Sequence, residues 1–123
     1  MEVEFYKCEK CGNVIELLHG DENNITCCGE KMTKLEANTV DAAAEKHVPF
    51  YEVDGDIMEV RVGEVMHPME ENHYIMWIVF VTNDHVYRVN FKPGEKVAAR
   101  IPYDKGTLYA YCNLHGLWSK DVL

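Results

Sequence analysis

Four of the five cysteines in this 123-residue chain lie within residues 8–28, and they constrain the fold of that segment more than any other feature. They form two pairs, Cys8-Glu9-Lys10-Cys11 and the adjacent Cys27-Cys28, and a glycine follows each pair. Two thiolates separated by two residues can hold one ion from a tight turn. Because so short a segment cannot bury a sufficient core alone, the pattern predicts that residues 1–36 fold around a metal.

The second pair departs from the spacing of a zinc ribbon, since its two cysteines are directly adjacent. Neighbouring side chains on a strand point to opposite faces. Both sulfurs reach one ion only if the backbone kinks, and we expect Gly29 to ease that kink. The spacing therefore predicts a distorted four-thiolate site and leaves zinc and iron open as its metal. Its four candidate ligands are Cys8, Cys11, Cys27 and Cys28.

The composition excludes several classes of function. Twelve Lys and Arg against 21 Asp and Glu give a net charge of −9, whereas nucleic-acid-binding proteins carry a basic surface. The longest apolar run, residues 74–81, is too short to span a membrane. An odd cysteine count and an acidic N-terminus without an apolar leader argue against a secreted disulfide scaffold. We therefore expect a cytoplasmic protein whose cysteines are metal ligands or redox groups.

The rest of the chain has the pattern of β-structure. Short strands are predicted at residues 2–7, 14–19, 24–26, 48–53, 57–62, 74–82, 86–91, 96–101 and 108–112. A connector over residues 37–47 is expected to form about one helical turn with Asp41 near its N-cap. Turn signals between the later runs are spaced as in a β-sandwich. We predict a mainly β chain with two domains, residues 1–36 and residues 37–123.

A second set of candidate metal ligands lies in the later segment. The sharpest element is Cys112-Asn113-Leu114-His115-Gly116, in which a thiolate and an imidazole can bind one ion from a loop that leaves a strand. The short spacing favours binding through Nδ1 of His115. Three further histidines, His47, His67 and His73, lie at predicted loops or strand ends, whereas His19 and His85 are interpreted as ordinary surface or strand residues. The spacing alone leaves open whether these donors meet at one ion.

Together, these segments resemble the desulfoferrodoxins, the two-iron superoxide reductases, over essentially the full chain. The cysteine pairs are similar to those of desulforedoxin. Four further segments resemble the catalytic domain of superoxide reductases. They are Glu45-Lys46-His47, His67-Pro68-Met69, His73-Tyr74-Ile75 and the run from Cys112 to Trp118.

The resemblance implies a desulforedoxin-like domain followed by an immunoglobulin-like β-sandwich, with two iron ions in each chain. One iron is held by the four paired cysteines. The other takes equatorial nitrogens from His47, His67, His73 and His115 and an axial sulfur from Cys112, and its sixth position faces solvent. The implied reaction is the one-electron reduction of superoxide to hydrogen peroxide.

The resemblance also implies a rubredoxin-type electron donor and a homodimer. Lys46 is expected to attract superoxide to the open position, and Glu45 to cap that position after the product leaves. Two interpretations compete with the reductase. In the first, the chain is a rubredoxin-like electron carrier with a structural β-domain. In the second, it is a zinc-dependent binding protein. A weak dismutase activity is also compatible with the residues.

Overall fold

A computed structural model describes residues 2–63 and 67–123 of the chain. The chain divides into two compact units, Met1–Glu36 and Ala37–Leu123. Strands are the main regular elements of both units, so the prediction of a mainly β chain is confirmed. No helix in the described part of the chain is both long enough and apolar enough to cross a membrane.

The first unit is built from short antiparallel strands. Their bounds are β1 Glu4–Lys7, β2 Val14–Leu17, β3 Thr26–Cys27, β4 Glu30–Lys31 and β5 Thr33–Lys34. They form a three-stranded sheet in the order β2-β1-β5 and a separate β3-β4 hairpin. The strand predicted at residues 24–26 is wrong in its first half, because Glu22–Asn24 form a 3₁₀ turn. The Asp21 carboxylate accepts the Asn23 backbone N–H and so caps this turn.

The core of the first unit is very small. Tyr6, Cys8 and Met32 are buried in one cluster, and one of these three residues is a candidate metal ligand. The Tyr6 hydroxyl lies 2.7 Å from a Glu4 carboxylate oxygen and 3.1 Å from one of Glu22. Burial and these two carboxylates raise the pKa of Tyr6. So little buried apolar surface fits a unit that depends on a bound metal for its stability.

In the described part of the second unit, seven strands form a β-sandwich. Their bounds are β6 Pro49–Asp54, β7 Ile57–Val62, β8 Ile75–Val81, β9 Val86–Asn90, β10 Ala98–Pro102, β11 Gly106–Cys112 and β12 Gly116–Val122. One sheet has the order β10-β7-β6 and the other β12-β11-β8-β9, and all pairings are antiparallel. Met58 and Ile101 from the first sheet pack with Ile78, Phe80 and Leu108 from the second, and all five are nearly inaccessible to solvent. The predicted immunoglobulin-like sandwich is confirmed.

The connector differs from its prediction in detail. Its one helix, α1, comprises Ala44–His47, with Ala43 at the N-cap and no side-chain cap. Asp41 lies two residues before that position, so its expected capping role is wrong. This short helix matters for the predicted second metal site, because it carries Glu45 and Lys46 and ends on His47.

Candidate metal centres

The four paired cysteines of the first unit meet at one point. Their sulfur atoms all lie within 4.8 Å of one another. The Cys11 and Cys27 sulfurs are 3.6 Å apart, and those of Cys27 and Cys28 are 4.0 Å apart. A tetrahedral ion with metal–sulfur bonds of about 2.3 Å separates its sulfurs by about 3.8 Å. The cluster therefore has the dimensions that a single tetrahedral ion requires.

The first pair is held by a compact turn at the end of β1. The Cys8 backbone N–H donates to the Asn13 carbonyl at 2.8 Å, and the Gly12 N–H donates to the Cys8 carbonyl at 2.9 Å. Gly12 has a φ of 82°, which only a glycine adopts without strain. This turn brings both thiols of the Cys-x2-Cys segment to the same side.

The second pair reaches the same point by a different route from the expected one. Cys27 ends β3 and pairs with Glu30 of β4, so Cys28 and Gly29 are the two-residue loop of a hairpin. Both have positive φ, 53° for Cys28 and 77° for Gly29, as the common two-residue hairpin turn requires. The predicted kink at Gly29 is therefore only half of the turn, because Cys28 has already left the extended conformation.

The thiols of this cluster differ in acidity. A hydrogen bond from the Cys11 backbone N–H is the main reason that the pKa of Cys8 falls to about 6. Hydrogen bonds with the Cys8 and Cys11 thiols raise the pKa of Cys27 to about 12. The raised pKa of Cys27 opposes its deprotonation when no cation is bound, and a bound metal supplies the positive charge that allows the thiolate to form.

The second candidate centre gathers residues from four separate parts of the second unit. His47 ends α1, His67 and His73 belong to the segment before β8, Cys112 ends β11, and His115 lies in the following hairpin loop. One donor atom from each of the five lies within 4.8 Å of the others. The structure thus brings together every residue of the predicted second set. His19 is exposed, and His85 pairs with Asp84 at an exposed turn.

The four imidazoles form a closed square. Successive ring centroids are 4.6 Å apart for His47 and His67, 4.8 Å for His67 and His73, 5.0 Å for His73 and His115, and 4.8 Å for His115 and His47. Each ring is nearly perpendicular to the next, with interplanar angles between 74° and 80°. Such an arrangement points one nitrogen of each ring towards a common centre.

The nitrogen distances fit a bound cation. His47 Nε2 lies 3.0 Å from His67 Nε2 and 3.1 Å from His115 Nδ1. Adjacent nitrogens of a square with metal–nitrogen bonds of about 2.1 Å would be about 3.0 Å apart. His115 thus presents Nδ1 to the centre, as the short Cys112–His115 spacing favours. The spacing of these atoms matches equatorial coordination of one ion.

The hydrogen bonds on the outer side of the square support the same conclusion. His47 Nδ1 lies 2.7 Å from the Ala43 carbonyl oxygen, and His67 Nδ1 lies 2.7 Å from that of Pro68. A carbonyl only accepts, so each Nδ1 is the protonated nitrogen, and each Nε2 turns a lone pair inward. His73 Nε2 is buried and has no hydrogen-bond partner among the described residues. Lone pairs that converge without donors fit a cation.

Burial has opposite consequences for the two kinds of donor, because it favours the neutral imidazole that binds metal but also the protonated thiol, which must lose its proton to bind. Burial lowers the pKa of His67 to about 4 and also lowers the pKa of His47. Burial raises the pKa of the Cys112 thiol, although the backbone N–H groups of His115 and Leu114 oppose that shift. The Cys112 sulfur lies 3.8 Å from His115 Nδ1, and the residue is fully inaccessible to solvent. The five residues together supply one soft sulfur donor and four borderline nitrogen donors to a metal.

Two residues to which the sequence analysis assigned no role support the square of imidazoles. The buried Trp118 ring stacks on His47, with centroids 5.0 Å apart and an interplanar angle of 21°, and its N–H donates to the His115 carbonyl. Gly63 lies against the backbone of Lys46, where a Cβ would come within 2.5 Å of the carbonyl oxygen. The only sequence signal for Gly63 is a glycine at the end of a strand pattern, which is too general to predict this contact.

Comparisons with known proteins agree with the two donor groups. A family model described as Desulfoferrodoxin, N-terminal domain, matches residues 1–35, and one described as Desulfoferrodoxin matches residues 39–121. The desulfoferrodoxin of Syntrophotalea carbinolica is 51% identical over 122 residues, which cover 98% of this chain and 97% of that protein.

Solved structures show the same relationship. The superoxide reductase from Treponema pallidum matches with a TM-score of 0.78 and 29% identity, and the match covers 98% of this chain and 99% of that one. The superoxide reductase (1Fe-SOR) from Giardia intestinalis matches with a TM-score of 0.56 and 31% identity over 63% of this chain and 97% of that one. With two family models that span nearly all residues and a relative that is about half identical, this chain belongs to the desulfoferrodoxin family.

Proposed function

We propose that this protein is a superoxide reductase with two iron ions, and that the square of four imidazoles beside a buried thiol is its reactive centre. The observation that carries the proposal is the convergence of inward-facing lone pairs at the spacing of one ion. The assigned ligands of the reactive iron are His47, His67, His73, Cys112 and His115. Those of the other iron are Cys8, Cys11, Cys27 and Cys28. Their host units, residues 1–36 and 37–123, are proposed to be separate domains.

The donor set of the second centre favours iron chemistry over a structural zinc site. Structural zinc takes four ligands in a closed tetrahedron, whereas five donors arranged as a square and a thiol leave one further position available. These residues would hold a ferrous iron, which would supply the one electron that, with two protons, converts superoxide to hydrogen peroxide. Structural relatives named as superoxide reductases, such as the Treponema pallidum protein, support the same reaction.

The protein's own contribution is to fix and tune these donors. The Ala43 and Pro68 carbonyls orient two imidazoles, and burial disfavours their protonation. Burial raises the pKa of the Cys112 thiol, and the backbone N–H groups of His115 and Leu114 partly offset that shift by stabilising the thiolate. A thiolate ligand donates electron density to the metal, as it does in thiolate-ligated haem. These contacts suit a centre that gives up an electron.

Lys46 is proposed to draw the anionic substrate to this centre, and Glu45 to cap the open position after turnover. Both residues lie in α1 immediately before His47, with Glu45 exposed and Lys46 half-buried. A single cation beside a reactive centre raises the local concentration of an anion even when the net charge of the chain is −9.

Replacing Lys46 by isoleucine is therefore expected to slow the second-order reaction with superoxide by about tenfold or more and to flatten its dependence on salt. Pulse radiolysis at several ionic strengths measures both quantities. The matched control is Lys105→Ile, which removes the same charge from an exposed turn at the opposite end of β11 from Cys112. Equal rates for Lys46→Ile and the parent protein would remove the steering role.

The first iron is proposed to transfer electrons without taking part in the chemistry. Cys11→Ser is expected to abolish the visible bands of the four-cysteine centre and to retain superoxide reduction at the second centre. The reaction is measured as hydrogen peroxide formed for each superoxide consumed, because a reductase yields one and a dismutase yields half as much. Loss of reduction in a variant that still holds the second iron would contradict the assignment.

The same measurements separate the competing functions. A plain electron carrier shows visible bands from the first centre and no superoxide reduction, and a zinc protein is colourless.

We further propose a rubredoxin-type electron donor and a homodimer, both on the family resemblance. A cytoplasmic location is proposed because the five cysteines are assigned as metal ligands and not as disulfides, which is the usual state of cysteine pairs in a reducing compartment.

A further inference from the structure

The hairpin loop that joins β11 to β12 also contacts the segment that carries His73. The Asn113 side chain accepts a hydrogen bond from the Tyr74 backbone N–H at 2.9 Å and donates one to the Asn72 carbonyl at 3.0 Å. Its own backbone N–H lies 3.3 Å from the Tyr74 carbonyl oxygen. One carboxamide thus holds the residue on each side of His73.

We propose that Asn113 is a positioning residue that fixes His73 relative to Cys112 and His115. Asn113 directly follows Cys112 and lies two residues before His115, so its backbone moves with those two donors. Its side chain extends that fixed frame to a segment about forty residues away in the sequence. The Asn113 side chain therefore links His73 to Cys112 and His115, which are distant from it in the sequence.

The position of the His73 ring depends on its backbone more than the positions of the His47 and His67 rings do. The rings of His47 and His67 are each oriented by a hydrogen bond from Nδ1 to a carbonyl within four residues. The segment of His73 is held by a bridge to Glu70, which is itself in the same loop, and by Asn113. Of these two contacts, only the second ties His73 to another donor of the centre.

The inference rests on the proposed second iron centre but not on its reactivity. Asn113→Ala removes both side-chain hydrogen bonds and is expected to speed the loss of iron from the second centre to a ferrous chelator by about 10- to 100-fold. The electron paramagnetic resonance signal of that centre should change shape as well. Asn113→Asp retains the acceptor for Tyr74 and loses the donor to Asn72, so its rate of iron loss should fall between those of the parent and Asn113→Ala.

Two controls separate positioning from a general loss of stability. The four-cysteine centre in the same chain should release its metal at the parent rate in both variants. Asn38→Gly is the matched control, because the Asn38 side chain makes a comparable set of bonds to Ser119 in the same unit, and glycine tolerates its φ of 62°. It should leave the second centre unchanged.

Parent-like iron release and an unchanged resonance signal in Asn113→Ala would overturn the proposal. An equal acceleration in Asn38→Gly would do the same, because it would show that any lost clamp loosens the centre. If Asn113→Ala does not fold, the aspartate variant decides the matter by the same two readouts. A parent protein that holds the second iron but does not reduce superoxide would refute the proposed function and leave this inference standing.

Discussion

Replacing Cys112 by serine is expected to abolish superoxide reduction and the visible bands of the second centre, with the rate falling by more than about a hundredfold. Mutating a residue that only hydrogen-bonds to a metal ligand lowers metal affinity or activity by about 10- to 100-fold. Replacing a ligand itself should lower them further. Serine keeps the shape of the side chain, and its hydroxyl oxygen can accept hydrogen bonds from the same backbone N–H groups, those of His115 and Leu114. The fold should therefore survive while the soft, electron-donating sulfur is lost.

The variant is best compared with Cys11→Ser, which removes one sulfur from the other centre. The two substitutions should have opposite effects on the two sets of visible bands. Thermal unfolding checks the assumption about the fold, since a buried hydroxyl that stays without a partner would cost about 1–3 kcal/mol. Superoxide reduction at the parent rate by Cys112→Ser would show that the thiolate is not the ligand that controls the reaction.

The sequence predicts well the parts of this fold that depend on local pattern. In β7, Met58, Val60 and Val62 alternate with charged residues, and all three are buried, as a strand with one face on the core requires. The last strand, β12, is missed because only Leu117, Trp118 and Val122 are buried in a run that also contains Lys120 and Asp121. Its place in the sheet follows from pairing with β11, which no local pattern shows.

The two centres differ in how far spacing alone can predict them. The first lies within one short segment, so two cysteine pairs suffice to indicate a site, and only the turn at Cys28 is missed. The second depends on contacts such as that between His47 and His115, which are 68 residues apart. Spacing cannot show that such residues meet, because only the packing of the two sheets brings them together. The resemblance to a family supplied that step.

Gly63→Ala is expected to destabilise the second unit by about 3 kcal/mol, the sum of a positive-φ cost and an overpacking cost of about 1–2 kcal/mol each. Gly63 has a φ of 76°, and its N–H donates to the Val48 carbonyl at 2.9 Å. A Cβ there would lie within 2.5 Å of the Lys46 carbonyl oxygen, which is backbone and cannot rotate away. The segment that carries Lys46 and His47 must therefore shift.

Two glycine controls divide this effect into its parts. Gly55 has a φ of 65°, and a Cβ added there would meet nothing within 4 Å, so Gly55→Ala measures the backbone cost alone. Gly106→Ala would overlap the Val81 carbonyl oxygen at the end of β11 remote from Cys112, so it measures a comparable clash away from the centre. We expect only Gly63→Ala to slow the reaction with superoxide and alter the second iron's spectrum. If Gly106→Ala does both to the same extent, the effect of Gly63 is one of stability and not of the position of Lys46 and His47.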